Sequence, residues 1–354
     1  MSKAIASDVG TMFFQVAELN ENKKTIIKTI RNSFVELEDS EDVEQVLQQN
    51  KWKYVKDGDK YYVIGEDSLV VAKMFPGRVE LRRPMQDGVL NKGEQKKMLV
   101  MAEIIEKAVG QAPDDNSLVC ICVSSPSADG SPDSTFHRAR LEGMFSRLGW
   151  NVKVIDEGLA VILAEKPVIV EEDGTESPFS GIGISLGAGR ANCVLAYKGL
   201  QIIGFSVARC GDFIDKKVSD QTDVPISQVI SKKEKKLDFD KIDYEDDVVF
   251  ALNAYYGSMI EHVFRIFSDK FAEVKSQFET PLDIVIAGGT SMPNGFEKKV
   301  ETVISKLNLP FQIKEVRKSK DPRNAVVKGL LTQAIISQKR LGQNKEKKTN
   351  YKDI

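Results

Sequence analysis

The stretch GIGISLGAGRANCVLAYKG, residues 181–199, sets two apolar runs either side of Gly187-Ala188-Gly189. It reads as strand, glycine turn, strand. Glycine lets the chain reverse tightly and aim its N–H groups at one point, a geometry that suits an anion. Alone, a glycine between two strands means a hairpin and nothing more. Two further glycine turns follow apolar runs, however: Asp8-Val9-Gly10-Thr11 and Ala287-Gly288-Gly289-Thr290. Two such hairpins on two lobes would clamp a polyphosphate, and Asp8 would suit a hydrated Mg²⁺, which takes few carboxylates and keeps several waters.

Working outward, the pattern repeats. The opening KAIASDVGTMFFQVAEL alternates around Gly10 as two strands, with a third expected over Thr25 to Ile30. Residues 34–84 read as an inserted unit, with an acidic helix over Glu41 to Gln49 and a hairpin around Asp57-Gly58. Helical spacing from Lys92 to Val109, the strand SLVCICVSS, a helix over Phe136 to Leu148, the strand NVKVIDE and the helix GLAVILAEK complete the first half. The second half follows the same order: three strands from residue 181, a charged helical insert over about 212–278, LDIVIAGGTSMPNGF as strand and glycine turn, FQIKEV as a strand, and a long helix from RNAVVKGLL. Strands, insert, helix, strand, helix occur twice, which predicts two similar α/β lobes with a cleft between them.

At 354 residues the chain is long enough for two cores. With 42% hydrophobic and 29% charged residues and a net charge of −2, it has no global pull toward nucleic acid or anionic lipid. Cys120, Cys122, Cys193 and Cys210 form no CxxC pair and read as reduced core thiols. His137 and His262 are too few for a histidine zinc site or triad. No apolar run nears the roughly 20 residues of a membrane span. MSKAIASDVG holds neither a secretory apolar region nor an amphipathic anchor, so a cytoplasmic location is expected.

The ordered motifs are more specific than any one of them. DVGT at 8–11, VIDEGLAVILAE at 154–165, SLGAG at 185–189, IVIAGGTSMPNG at 284–295 and DPRNAVVKGLL at 321–331 resemble the first phosphate, first connecting, second phosphate, adenosine and second connecting motifs of the actin, heat-shock chaperone and sugar-kinase ATPase superfamily. GRVELRRPMQDGVL at 77–90, CGDFID at 210–215 and KKEKK at 232–236 are similar to the actin branch, and most of all to bacterial actin-like filament proteins of the MreB and MamK kind. The resemblance spans residues 4–338. It implies an α/β, two-lobed actin-like ATPase fold, each lobe a mixed sheet flanked by helices with a smaller inserted subdomain. The expected division is lobe I over 1–156, lobe II over 157–322, a helix over 323–338 returning to lobe I, and a basic mobile tail over 339–354.

The resemblance also implies roles: a cytoskeletal ATPase that binds ATP or ADP with Mg²⁺ and polymerises with itself, head to tail. Asp8 would face the Mg²⁺ through water, and Gly10, Thr11 and Met12 would meet phosphates from one lobe, Gly187, Ala188 and Gly189 from the other. Gly288, Gly289, Thr290 and Met292 would flank the adenine, Lys233 and Glu234 would approach base and ribose, and Asp212 would lie near the nucleoside. Glu157 would orient the attacking water; its plain alternative is a carboxylate stabilised at a helix N-terminus.

Two residues depart from the pattern. Ser185 stands where the family has an aspartate that helps hold the metal, and Arg190 where a small polar residue is usual. Slow or unusual hydrolysis is therefore expected. A small-molecule kinase and a chaperone-like or inactive nucleotide-binding scaffold of the same fold remain the alternatives. Beyond Glu157 no acceptor-binding motif supports the kinase, and a complete chaperone, which needs a substrate-binding domain, is not expected. The cellular role stays open among organelle positioning, DNA segregation and cell shape, and so does an adaptor protein. Trp52, Tyr54, Tyr61 and Tyr62 read as the core of the small insert rather than a subunit contact. Lys339, Arg340, Lys345, Lys347, Lys348 and Lys352 read as a solvated tail, with contact to an anionic membrane the weaker alternative.

Overall fold

The computed structural model describes residues 2–90, 95–165, 168–170, 174–274 and 281–350. Its contacts group into two compact units: Met1–Ile121 with Thr135–Val154 and Gln333–Ile354, and Cys122–Ser134 with Ile155–Thr332.

The first unit begins with β1 (Ala4–Val9), β2 (Phe13–Leu19) and β3 (Thr25–Arg31), an antiparallel meander in which Asp8 pairs with Gln15 and Val9 with Phe14. The insert follows: β4 (Phe34–Glu38), α1 (Glu41–Gln49), β5 (Tyr54–Asp57), β6 (Lys60–Ile64) and α2 (Glu66–Met74). Ser40 caps α1 by accepting the Val43 N–H, and Glu41, Asp42 and Glu44 in the first turn complement the helix dipole. The insert strands order as β4-β6-β5 around Val35, Leu47, Tyr61, Val63 and Val71, with Trp52 and Tyr54 packed against them. The aromatics therefore build this small core. A tight hairpin, β7 (Met85–Gln86) and β8 (Val89–Leu90), turns through Asp87 and Gly88 at φ 51° and 73°, the paired positive values of a type I′ turn. Then come α3 (Gln95–Val109), β9 (Leu118–Val123), α4 (Thr135–Arg147) and β10 (Asn151–Asp156). The main sheet orders as β10-β9-β1-β2-β3, with β9 parallel to β1.

The second unit runs α5 (Glu157–Glu165), a hairpin of β11 (Val168–Val170) and β12 (Glu176–Pro178), then β13 (Gly181–Leu186), β14 (Ala191–Tyr197) and β15 (Leu200–Val207). The helical insert is α6 (Gly211–Thr222), α7 (Ile226–Lys235) and α8 (Asp247–Ala272). After it come β16 (Leu282–Ala287), α9 (Phe296–Ile304), β17 (Ile313–Lys318) and α10 (Ala325–Asn350). Asp246 caps α8 through the Val248 and Val249 N–H groups. Leu252, Tyr256, Met259, Val263 and Phe267 recur at three- and four-residue spacing along α8 and form its buried stripe in the core of this unit. The sheet orders as β15-β14-β13-β16-β17, with β13 antiparallel to β14 and parallel to β16. Strand for strand this is the order of the first sheet, so the repeat read in the sequence is a repeat of topology.

The sequence reading missed β4, α2, β7–β8 and β11–β12. The helix expected from Lys92 is described from Gln95, because residues 91–94 lie outside the described set, as do 275–280 at the end of the charged insert. α10 continues through Asn350, into the stretch read as a tail. Lys, Gln and Glu there have good helix propensity. Among the described residues no helix is long and apolar enough to cross a membrane.

Candidate functional site

The glycine hairpin is built twice on one plan. In the first unit Asp8, next to last in β1, pairs with Gln15, and the Gly10 N–H donates to Phe13 O at 3.0 Å to close the turn. In the second unit Ser185, next to last in β13, pairs with Asn192, and the Gly187 N–H donates to Arg190 O at 2.9 Å. A Cβ on Gly10 would stand 2.7 Å from Phe13 O, so this turn requires glycine. The Gly10 and Gly187 N–H groups are thus committed inside their turns, and these glycines shape the loops rather than donate to a ligand. Thr11, Met12, Ala188 and Gly189 form the loop tips. Asn32, fully buried, pins the first tip: its Nδ2 donates to Gly10 O at 2.8 Å and its N–H to Met12 O at 2.9 Å. Nothing in its local pattern marked Asn32, since both partners lie about twenty residues away in sequence.

Two other segments of the second unit converge on the Gly187 carbonyl. It accepts from Thr290 Oγ1 at 2.8 Å, Cys210 Sγ at 3.0 Å and the Gly211 N–H at 3.3 Å, while the Asp212 N–H donates to Ala188 O at 2.7 Å. The junction closes because two positions lack side chains. A Cβ on Gly288, at φ 96°, would stand 2.2 Å from Leu186 O, and one on Gly211 would stand 2.6 Å from Thr290 Oγ1. Gly289 opens a single 3-10 turn over Gly289–Ser291, held by Ser291 Oγ on Gly288 O and by Tyr256 OH on Thr290 O. Met292 follows, 44% exposed. Gly187, Ala188, Asp212, Gly288 and Thr290, predicted from three separate motifs, therefore sit together. Burial pushes the Cys210 thiol up to about 12, so it is a neutral donor rather than a thiolate.

Lys233 and Glu234 lie on α7. Lys233 Nζ is ion-paired with Asp215 of α6 at 2.7 Å, and the Asp215 side chain is 3% exposed. Burial raises the Asp215 carboxyl above its ordinary value despite the opposing Lys233 charge. Glu234 is exposed.

Glu157 opens α5, which lies on one face of the β13–β14 pair. Along these strands Ile182, Ile184, Leu186, Ala191, Cys193 and Leu195 enter the main core, and Gly183, Ser185, Asn192 and Val194 alternate to the other face. A Cβ on Gly158 would stand 2.9 Å from Gly183 O and from the Val194 nitrogen. A Cβ on Gly329 of α10 would stand 1.8 Å from Ala160 O, so glycine brackets α5 on both sides. Glu157 is thereby carried over β14, where Asn192 Nδ2 donates to its Oε2. Arg190, 2% exposed, does not turn toward a ligand: its Nη1 donates to Ser206 Oγ at 2.9 Å and its Nη2 to Pro132 O. Ser206 Oγ in turn donates to Ser125 O.

The Volactin family model matches residues 1–334. The chain belongs to the Volactin family. No curated protein matches this Volactin chain in sequence. Among solved structures it is similar to a MamK double helical filament, at 16% identity and TM-score 0.63, covering 93% of this chain and 98% of that one. It is also similar to MreB5 of Spiroplasma citri bound to ADP, at 12% identity and TM-score 0.64, covering 97% and 99%. The AMPPNP-bound form of that protein gives 13% identity and TM-score 0.64, covering 98% and 99%. This member of the Volactin family therefore has the actin-like fold seen in MamK and MreB5.

Proposed function

We propose that this chain is an actin-like ATPase that binds Mg-ATP and assembles head to tail into filaments, turning nucleotide over slowly. The observation that carries the reading is the twice-built hairpin, with Asp8 two residues before the turn glycine of one copy and the Gly187 junction joined to the adenosine-motif turn in the other. The similarity to a MamK filament and to MreB5 with ADP and AMPPNP supports it. In this reading Thr11, Met12, Ala188 and Gly189 meet the phosphates, with Gly10 and Gly187 shaping their turns. Gly288, Gly289, Thr290 and Met292 flank the adenine, Asp212, Lys233 and Glu234 border the nucleoside, and Glu157 orients water.

Asp8 would supply one hard carboxylate to Mg²⁺, which takes few, whereas the corresponding position of the second hairpin, Ser185, offers only a neutral hydroxyl. The metal would neutralise phosphate charge, and one fewer acid leaves turnover slow. A head-to-tail contact that does not close gives an open filament with a second copy of the chain as partner. The cytoplasm is the compartment this reading assigns.

High-speed sedimentation with and without Mg-ATP, followed by electron microscopy of the pellet, tests the proposal. Nucleotide-dependent pelleting of filaments supports it; a soluble protein at all concentrations overturns the filament. Tight ATP binding without ADP release in the pellet would favour the second reading, a non-hydrolysing scaffold, to which Ser185 points.

A further inference from the structure

The stretch SLVVAKMFPGRV, residues 68–79, holds most of α2 and the turn that ends it. One side belongs to the small core of the insert: Val71 is buried there, and Ala72 and Val79 pack against it. The other side does not. Val70 is 44% exposed, Met74 56% and Phe75 40%, and Pro76 is exposed as well. Val70 and Met74, four residues apart, share one face of α2, and Phe75 and Pro76 follow directly at its end. The turn is ordered: the Phe75 N–H donates to Val71 O at 3.1 Å, and Phe75 O accepts the Arg78 and Val79 N–H groups at 3.1 and 3.3 Å. Apolar side chains scattered singly over a surface are ordinary, but three of them with a proline on one fixed turn form a patch.

The charges decide what this patch would face. The stretch has two, Lys73 and Arg78, both exposed, and no acid lies between Asp67 and Glu80. Neither cation forms an ion pair among the described residues, whereas the neighbouring Arg31, Lys60 and Arg82 are each matched to a glutamate.

We propose that this turn is a contact site for an anionic lipid bilayer: Met74 and Phe75 enter the apolar edge of the membrane while Lys73 and Arg78 meet its phosphate groups. Long basic side chains suit that boundary, because their stems lie against apolar surface while the charged heads stay in the polar layer. The net charge of −2 gives the chain no overall attraction to such a surface, so the acid-free stretch itself selects it. Each Lys or Arg near an anionic surface strengthens binding about fivefold, so one turn with two cations binds weakly alone. A filament of the proposed kind repeats the turn once per copy, and polymerisation then raises avidity with no new contact. That amplification rests on the filament reading; the contact itself does not.

Flotation reads membrane binding without interference from filaments, which sediment by themselves. The full chain is mixed with vesicles of equimolar phosphatidylserine and phosphatidylcholine, or of phosphatidylcholine alone, with and without Mg-ATP. It should float with the anionic vesicles only, more completely with Mg-ATP and less at high salt. Met74→Ser with Phe75→Ser, and separately Lys73→Gln with Arg78→Gln, should each weaken binding at least about tenfold. All four side chains are exposed, so urea midpoints and Mg-ATP-dependent pelleting should stay those of the unsubstituted chain. Absence of flotation by the unsubstituted chain, polymerised or not, overturns the proposal. So does unchanged flotation of either double variant, which would place the membrane contact elsewhere. Loss of Mg-ATP-dependent pelleting in the variants would make the patch a contact between copies and overturn it as well. A chain that floats with anionic vesicles but never pellets would sink the filament reading and leave this one standing.

Discussion

Ser185 occupies in β13–β14 the register that Asp8 occupies in β1–β2: each is the penultimate residue of its strand, opposite a carboxamide, Asn192 in one hairpin and Gln15 in the other, two residues before the turn glycine. One copy of the plan keeps its acid and the other has a neutral hydroxyl.

Ser185→Asp restores the missing charge. Ser185 is 2% exposed and lies on β13 directly opposite Asn192 of β14, so the substituted carboxylate should cost about 1–3 kcal/mol without metal. With saturating Mg-ATP it should raise the hydrolysis rate and lower the Mg²⁺ concentration needed for half-maximal rate. Phosphate release followed across a Mg²⁺ titration checks this. An unchanged rate would mean that Ser185 does not limit turnover.

Gly183→Ala tests the seat of α5. The methyl would meet Gly158 O at 2.3 Å and Ile162 Cγ1 at 2.7 Å, and backbone cannot yield as a flexible side chain can. A loss of about 1–3 kcal/mol is expected from overpacking, read as a lower urea midpoint. Hydrolysis should fall more than ATP affinity, because Glu157 leads the displaced helix.

Glu165, at the end of α5, accepts from Ser319 Oγ at 2.6 Å, Arg317 Nη1 at 2.7 Å and the Lys320 N–H at 3.1 Å. Burial would raise its carboxyl, but these bonds outweigh it and hold the group below its ordinary 4.5. A depressed carboxyl contributes stability that is present above the unfolded value and lost as pH falls through the lower folded one. Urea midpoints should therefore drop below about pH 4.5, and Glu165→Gln should flatten that drop while lowering stability at neutral pH. Equal acid sensitivity in both proteins would show that other carboxylates govern it.

Arg190→Thr removes a buried guanidinium that ties the second hairpin to Ser206 and Pro132. The loss should be about 1–3 kcal/mol, from the buried acceptors left unsatisfied. Arg190→Lys should not restore it, since an ammonium cannot reproduce the planar fork. Thermal and urea unfolding of both variants give the comparison.

The thiols should be silent in the native protein. All four cysteines are buried and unbridged, and burial pushes the Cys120 and Cys210 thiols up to about 12 and raises Cys193 as well. A thiol reagent at neutral pH should find no rapidly reacting group until denaturant is added, and then four. A fast native thiol would place one of them in a mobile or exposed setting.

Much of the architecture was legible because it is written in short-range patterns. The Glu41–Gln49 helix matched its expected bounds, and the hairpin around Asp57-Gly58, which turns through Gly58 and Asp59, and the doubled strand order also appeared as read. β4 and α2 escaped because FVELE and EDSLVVAKM are short, and their apolar residues serve a core of only a few side chains. Arg190 was legible as an odd residue but not as a buried one, since its acceptors, Ser206 and Pro132, lie far along the chain.

Read alone, the chain specified which segments are strands and helices, that the set occurs twice, and which glycines turn. Each of these depends on neighbours a few residues apart, where alternation, helical spacing and φ preference act directly on the backbone. Only the folded structure decided that Gly187, Thr290, Cys210 and Gly211 share one junction, that Asn32 pins the first turn, and that Asn192 grips Glu157. Those relations arise where backbones approach closely enough to exclude a Cβ. That distance is fixed by the packing of whole elements against one another, which no local pattern encodes.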